Sequence, residues 1–207
     1  MNDSQQRTPE WYVNRLGKLT ASYMDSALYF KKNGEESQER YNLKIQILSE
    51  RLTGLKAYTY ENVYMKDGRD HEPIAKEILE QLGFPIQEVG LIDHPTIKMF
   101  GASPDALSDD DGLIEIKCPK TETHLKYMLR GVVPEEHKPQ MLAQLACTGR
   151  KWVDFISFDP RIKDKAIQIF VRRYTPTPKE IEAVEKAAIQ FLSEIDKMEY
   201  LIKDLVL

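Results

Sequence analysis

The chain has 207 residues, of which 42% are hydrophobic, and its formal net charge at pH 7 is −4. This length is enough to bury a hydrophobic core without disulfides, so we expect a single domain over residues 1–207. The two cysteines form no CxxC pair, no apolar run approaches the roughly 18 residues that span a membrane, and no apolar leader opens the chain. These features exclude zinc-ribbon and transmembrane classes and favour a cytoplasmic protein, while the negative charge argues against a surface that coats nucleic acid everywhere.

Hydrophobic periodicity and turn residues predict the elements in chain order. Helical spacing marks short helices within residues 11–28, where Thr20 is a candidate N-cap, and longer helices over 36–53 and up to Gly83. Strands are predicted at 87–92, 98–102, 113–118, 152–158 and 166–173, with helices at 122–129 and 137–147. The first three strands form a meander in this prediction. The order of elements indicates an α/β fold with a mixed central β-sheet flanked by helices.

A closing helix has a clear start at Thr177-Pro178-Lys179-Glu180, which combines an N-cap, a proline at the first helical position and the glutamate of a capping box. Apolar residues then recur at alternating intervals of three and four from Ile181 to Leu205. Such a seam suits packing against the rest of the chain or against a neighbouring subunit.

The chemically most informative residues are Asp105, in Ser103-Pro104-Asp105, and the pair Glu115 and Lys117. Residues 106–112 between them include a serine, three consecutive aspartates and a glycine, which is a turn composition, and residues 113–117 alternate in the manner of a strand. We therefore expect a hairpin that brings Asp105 beside Glu115. Because side chains alternate along a strand, Glu115 and Lys117 would share one face.

Two carboxylates and an ammonium in this arrangement are typical of a Mg2+-dependent centre that cleaves phosphodiesters. Mg2+ prefers oxygen ligands and keeps several waters, and in a two-ion site one ion activates water while the other stabilises the leaving oxygen. Lys117 could orient the attacking water and stabilise developing charge. The alternative is a solvated surface ion pair. The apolar residues around Glu115 and Lys117 argue against it, since charges in a segment buried on both faces are usually functional.

Six short motifs lie in order between Trp11 and Arg161. They are Trp11-Tyr-Val-Asn-Arg15-Leu-Gly-Lys-Leu-Thr-Ala-Ser22, Gly68-Arg-Asp-His-Glu72-Pro, Gly101-Ala-Ser-Pro-Asp105-Ala-Leu, Gly112-Leu-Ile-Glu115-Ile-Lys117-Cys-Pro, Pro139-Gln140 and Phe158-Asp-Pro-Arg161. Together they resemble the phage lambda exonuclease family, also called YqaJ-type viral recombinases. The resemblance covers most of the chain.

The resemblance implies a restriction-endonuclease-like core of the PD-(D/E)xK type. It also implies a deoxyribonuclease that uses Mg2+, two ions per site with Mn2+ as a possible substitute, to digest one strand of linear double-stranded DNA from its 5' end. The expected products are 5'-mononucleotides and 3' single-stranded overhangs for recombination. Family members form ring-shaped homotrimers on double-stranded DNA ends and work with a single-strand annealing recombinase, as phage or prophage proteins in a bacterial host.

The resemblance also assigns site residues. The implied metal ligands are Asp105, Glu115, the Ile116 carbonyl and Glu72; Lys117 positions the attacking water, Gln140 contributes to the site, and Arg15 and Ser22 bind the 5' phosphate of DNA. Relatives often carry Gln-x-Gln where this chain has Gln140-Met141-Leu142, so Gln144 is a candidate for the second amide. Pro73 is expected in the first turn of its helix, which would place Glu72 near the helix N-terminus.

Two other functions remain open at this stage. One is a structure-specific endonuclease built on the same core. The other is a catalytically inert DNA-end-binding scaffold for an annealing protein.

Overall fold

The structure, a computed structural model, describes residues 6–57 and 63–205, with side chains described from residue 68 onward in the second segment. Helices in these residues are α1 (Pro9–Arg15), α2 (Met24–Leu28), α3 (Gln38–Thr53), α4 (Val63–Gln81), α5 (Thr121–Arg130), α6 (Lys138–Thr148) and α7 (Pro178–Asp204). Strands are β1 (Leu19–Thr20), β2 (Ile92–Asp93), β3 (Phe100–Ala102), β4 (Ala106–Ser108), β5 (Gly112–Lys117), β6 (Trp152–Phe158) and β7 (Ile169–Tyr174). Within the described residues, no helix has the length and apolar composition needed to cross a membrane.

The strands form two mixed sheets flanked by helices. In the first sheet, β3 lies between β1, which is parallel to it, and β2, which is antiparallel. In the second, the order is β4-β5-β6-β7, with β5 and β6 parallel and the outer strands antiparallel to their neighbours. The predicted α/β class with mixed strands and flanking helices is confirmed, but the single central sheet is replaced by two.

The predicted meander is wrong because the segment before β3 crosses from one sheet to the other. Gln87 bridges to Leu107 in the second sheet, whereas Ile92 pairs with Ala102 in the first. The chain therefore cannot run as one strand over 87–92. The hairpin partner of β5 is instead the short strand β4, which lies inside the segment predicted as turn.

The turn between β4 and β5 is confined to residues 109–111, where Asp109 adopts a left-handed φ of 47°. Arg150, in the loop after α6, holds this turn from outside. Its Nη1 donates hydrogen bonds to the carbonyls of Ser108, Asp109 and Gly112 at 3.2, 2.7 and 2.8 Å. The register of the hairpin is thus fixed both by the strand ladder and by one guanidinium.

The long helix α7 begins with the predicted capping box, in which the Thr177 hydroxyl accepts from the Glu180 N–H and the Glu180 carboxylate accepts from the Thr177 N–H. The apolar seam is buried from Val184 to Ile195, where it packs with α3 and α6 in a shared core. Ile202 and Leu205 are 42% and 84% exposed. Intrachain packing therefore accounts for the seam except at its C-terminal end.

Glu194 ties α7 to α3 through buried cations. Arg40, whose side chain is 3% exposed, donates to both carboxylate oxygens of Glu194 at 2.6 and 3.0 Å, and Lys44 donates to one of them at 3.0 Å. Partial burial acts to raise the pKa of Glu194, but the hydrogen bonds from Arg40 and Lys44 outweigh it and lower the pKa to about 2.

Because the pKa of Glu194 is lower in the folded chain than in the unfolded one, its stabilising contribution is present at neutral pH and is lost as pH falls toward 2. We expect Glu194→Gln to reduce the free energy of unfolding by about 2 kcal/mol at pH 7, and by much less at pH 2.5. Urea unfolding at both pH values measures this. Glu182→Gln, on an exposed carboxylate of the same helix, is the control, and an equal loss at both pH values for Glu194→Gln would contradict the assignment.

Candidate active site

The β4–β5 hairpin brings the predicted charged residues together. Asp105 directly precedes β4, and its Oδ2 accepts the Ile116 N–H at 2.6 Å. Glu115 and Lys117 share one face of β5, with Lys117 Nζ 2.6 Å from Glu115 Oε1. The Glu115 side chain is only 2% exposed, because β5 is covered on both faces. The three groups that the sequence singled out therefore lie at one end of the second sheet.

Two glutamines on α6 hold the Glu115 carboxylate. Gln140 donates to Oε1 at 2.6 Å and accepts from Lys117 at 2.9 Å, while Gln144 donates to Oε2 at 2.5 Å. The two glutamines are four residues apart and so lie on one face of the helix. Gln144 Oε1 is buried and has no hydrogen-bond partner among the described residues. The Gln144 NH2 group thus faces Glu115, and the Gln144 oxygen is left without a partner. A carboxylate imposes this orientation because it can only accept hydrogen bonds.

The electrostatics of the hairpin are dominated by crowded carboxylates. Burial raises the pKa of Asp105 well above its ordinary value, and repulsion from Glu115 and Glu72 raises it further. Burial acts to lower the pKa of Lys117, but the negative charges of Glu115 and Asp105 outweigh it, so the pKa of Lys117 is raised and the ammonium stays charged. Lys117 alone leaves the carboxylates partly uncompensated, and additional positive charge would relieve their repulsion.

The donor set suits a hard cation. Asp105 and Glu115 offer carboxylate oxygens, and in a strand the N–H and C=O of one residue face the same side, so the Ile116 carbonyl faces the side on which Asp105 lies. In the described part of the chain, no three His, Cys, Asp or Glu side chains converge on a point that could hold a metal. Asp105, Glu115 and the Ile116 carbonyl would leave such a site open, so that waters and substrate oxygens would have to complete the coordination of a cation.

Glu72 lines the same cleft but is engaged by cations of the chain. Its Oε2 pairs with Arg7, and its Oε1 is 3.2 Å from Lys76 Nζ.

The expectation that Pro73 lies in the first turn is wrong, since α4 starts at Val63 and contains Pro73 in its interior. The helix continues through the proline because Ala75 and Leu79 beyond it are fully buried against the second sheet, and this packing offsets the lost backbone hydrogen bond.

A second polar cluster surrounds Arg15 at the end of α1. The guanidinium donates to the hydroxyls of Ser103, Thr20 and Ser22 at 3.3, 3.1 and 3.2 Å, and it stacks on the Trp11 ring at 4.3 Å from the centroid. Trp11 also donates to Ser103 at 3.0 Å. Thr20 occupies the predicted N-cap position, before the 3-10 turn Ala21–Tyr23, but its side chain forms no cap bond and contacts Arg15 instead.

The sequence pattern assigns no role to Ser103, although this residue lies two positions before Asp105. That adjacency was the available signal, because the turn that presents Asp105 also presents its neighbours. The contacts of Arg15 with Ser22 and Ser103 gather hydroxyls around a planar cation, a combination suited to a phosphate.

Both clusters open into one cleft with a volume of about 400 Å3. Its lining includes Arg15 and Ser22 from the first cluster and Glu72, Asp105, Glu115, Ile116, Lys117 and Gln140 from the second. Tyr12, Lys56 and Arg69 add an aromatic ring and two cations to its walls. The volume is in the range of pockets that hold small organic ligands.

The structure is similar to that of an alkaline exonuclease (LHK-Exo) from Laribacter hongkongensis, with 39% sequence identity and a TM-score of 0.87 over 96% of this chain and 98% of that one. A structure of LHK-Exo in complex with dAMP matches at 38% identity, over the same shares of both chains and with the same TM-score of 0.87. A phage-related exonuclease from Haemophilus somnus 129PT shares the fold at 14% identity and a TM-score of 0.63, over 91% of this chain and 96% of that one. A comparison with curated proteins gives no significant match.

The model of the YqaJ-like viral recombinase domain matches residues 10–151, which include α1 from its second residue, the hairpin and α6. The match spans every predicted site residue and agrees with the resemblance to lambda-type exonucleases that the motifs carried. On both grounds, the chain belongs to the YqaJ-like viral recombinase family of alkaline exonuclease homologues.

Proposed function

We propose that the protein is a Mg2+-dependent exonuclease that digests one strand of linear double-stranded DNA from its 5' end. The observation that carries the proposal is the shared cleft, in which the Arg15 cluster and the carboxylate–lysine cluster lie side by side. If the terminal 5' phosphate of a strand binds to Arg15, the next phosphodiester of that strand would lie beside the carboxylates of Asp105 and Glu115. The volume of about 400 Å3 suits a single nucleotide between them.

Each side chain has a distinct part in this proposal. Arg15 binds the 5' phosphate through paired N–H donors, and the Ser22 and Ser103 hydroxyls complete its contacts. Lys117, charged and held by Glu115 and Gln140, orients the attacking water and stabilises negative charge on the phosphorus centre. Gln140 and Gln144 fix the rotamer of Glu115. Asp105, Glu115 and the Ile116 carbonyl would hold Mg2+, and Glu72 would serve a second ion.

Bound Mg2+ supplies Lewis-acid stabilisation of the attacking and leaving oxygens. Water adds to phosphorus, the bond from phosphorus to the 3' oxygen breaks, and that oxygen takes a proton. The product is a 5'-mononucleotide, and the shortened strand again ends in a 5' phosphate. Repeated cycles would leave 3' single-stranded overhangs. The Laribacter relative has been crystallised in complex with dAMP, which supports a mononucleotide as a product that this chain can also bind.

Family membership extends the proposal to partners. We propose that the protein acts on DNA ends in recombination as a homotrimer, together with a single-strand annealing recombinase, in the cytoplasm of a bacterial cell that carries the phage or prophage. The exposed C-terminal turns of α7 are available surface for a subunit contact.

The test compares three reactions on DNA of one sequence: linear duplex with 5' phosphates in Mg2+, the covalently closed circle in Mg2+, and the linear duplex with EDTA in place of Mg2+. We expect release of 5'-mononucleotides only from the linear duplex in Mg2+, measured by chromatography of the soluble products. Cutting of the closed circle would favour a structure-specific endonuclease. End binding without nucleotide release would establish the scaffold function instead.

A further inference from the structure

The first described residues, Gln6 and Arg7, line the cleft. The Gln6 amide donates to the Pro104 carbonyl at 2.6 Å, next to Asp105. One residue later, the Arg7 guanidinium pairs with Glu72, 65 positions further along the chain. The Thr8 hydroxyl then caps α1 by accepting the Trp11 N–H at 3.2 Å. The segment is therefore attached on both sides of Arg7.

Arg7 has an unusual backbone conformation. Its φ of 68° lies in the left-handed region, which a residue with a long side chain adopts only when its surroundings impose it. Here the surroundings are the two anchored neighbours and the ion pair itself. The bend at Arg7 directs the guanidinium onto a carboxylate that lines the same cleft as Asp105 and Glu115.

Both oxygens of Glu72 are occupied in this arrangement. Lys76 holds Oε1 and is itself held by Glu88 at 2.7 Å on the other side. Arg7 holds Oε2, and its side chain is 36% exposed, against 15% for Lys76. Of the two cations, Arg7 is thus the one with a route to solvent. A divalent cation at Glu72 would meet the positive charge of Arg7 at the same carboxylate, so each of the two weakens the binding of the other.

We propose that Arg7 competes with a divalent cation for Glu72, so that this arginine sets the cation concentration at which the second position of the cleft fills. The inference rests on the proposed function, because it takes Glu72 as part of the metal-binding cleft. Without the cation, Arg7 neutralises the carboxylate. When the cation binds, the guanidinium leaves Glu72 and the left-handed bend at Arg7 is relieved.

The experiment is a calorimetric titration of Mg2+ into the full chain without DNA, repeated with Mn2+ by electron paramagnetic resonance. We expect Arg7→Gln to tighten the weaker cation-binding step about two- to fivefold, in proportion to a partly exposed ion pair. Arg7→Lys keeps the charge and should bind as the unmodified chain does. Lys18→Gln is the matched control, since it removes one positive charge from the ion pair with Asp93, outside the cleft lining.

Several outcomes overturn the inference. Unchanged or weaker cation binding in Arg7→Gln would do so, and so would equal tightening in Lys18→Gln, which indicates a general charge effect. Binding that Glu115→Gln abolishes but Arg7→Gln leaves unaltered would reject this inference alone. Absence of any Mg2+ binding by the unmodified chain would reject it together with the metal dependence of the proposed function.

Discussion

Replacing Glu115 by glutamine is expected to lower Mg2+-dependent digestion of linear duplex about a thousandfold or more, the scale of losing several kcal/mol of metal-based stabilisation. The substitution removes a charge that Asp105 and the Ile116 carbonyl cannot replace, and it deprives Lys117 of its ion pair. The measurement is the rate of mononucleotide release from 5'-phosphorylated duplex at saturating Mg2+.

The fold should survive this change. Glutamine has nearly the shape of glutamate, and its carbonyl can still accept from Gln140. Its new NH2 group can donate to Gln144 Oε1, which has no partner in the described residues, once the Gln144 amide turns over. Urea unfolding close to that of the unmodified chain is therefore expected. Glu80→Gln, an exposed carboxylate on α4, is the activity control, and undiminished digestion by Glu115→Gln would reject the site.

Replacing Arg15 by alanine is expected to abolish the preference for a phosphorylated 5' end. Hydrogen bonds from a guanidinium to a charged partner contribute enough that digestion of phosphorylated duplex should fall about 10- to 100-fold, to the rate on the 5'-hydroxyl duplex. Slow cleavage should persist, because Asp105, Glu115 and Lys117 are unaltered. Initial rates on the two end types, measured in parallel, give the ratio.

Two further variants sharpen the Arg15 test. Arg15→Lys keeps the charge but loses the planar pair of donors, so it should recover only part of the preference. Arg130→Ala, in the exposed last turn of α5, is the matched control and should leave the ratio unaltered. An equal loss on both end types in Arg15→Ala would show that the arginine serves the fold or general DNA affinity rather than end recognition.

The parts of this fold that the sequence predicted well depend on local signals. The capping box at Thr177, the helical spacing over 36–53 and the alternation along β5 are local patterns, and the corresponding elements are found at or near the expected positions. The candidate site followed from the same hairpin, because turn composition and strand period suffice to bring Asp105 beside β5. β7 starts three residues later than predicted, since residues 165–167 form a capped 3-10 turn.

The predictions that are wrong concern elements whose structure depends on packing between residues far apart in the sequence. Nothing local in residues 87–102 indicates that the chain passes from one sheet to another, because that depends on which edges the neighbouring strands leave open. Pro73 is tolerated inside α4 only through the burial of later residues of the helix. The contacts of Arg7 with Glu72 and of Gln6 with Pro104 join residues more than 60 positions apart, and no spacing rule could have found them.

Arg150 holds the β4–β5 turn through contacts that do not depend on the side chains at its tip. Residues 109 and 110 are exposed. The three carbonyls that Arg150 binds are backbone groups, which are present whatever side chain a residue carries. Substitutions there can alter the charge facing solvent while Asp105 and Glu115, at the other end of the hairpin, keep their spacing. Sequence variation at the tip is therefore tolerated wherever residue 109 can keep its left-handed φ, whereas replacement of Arg150 would release three hydrogen bonds at once.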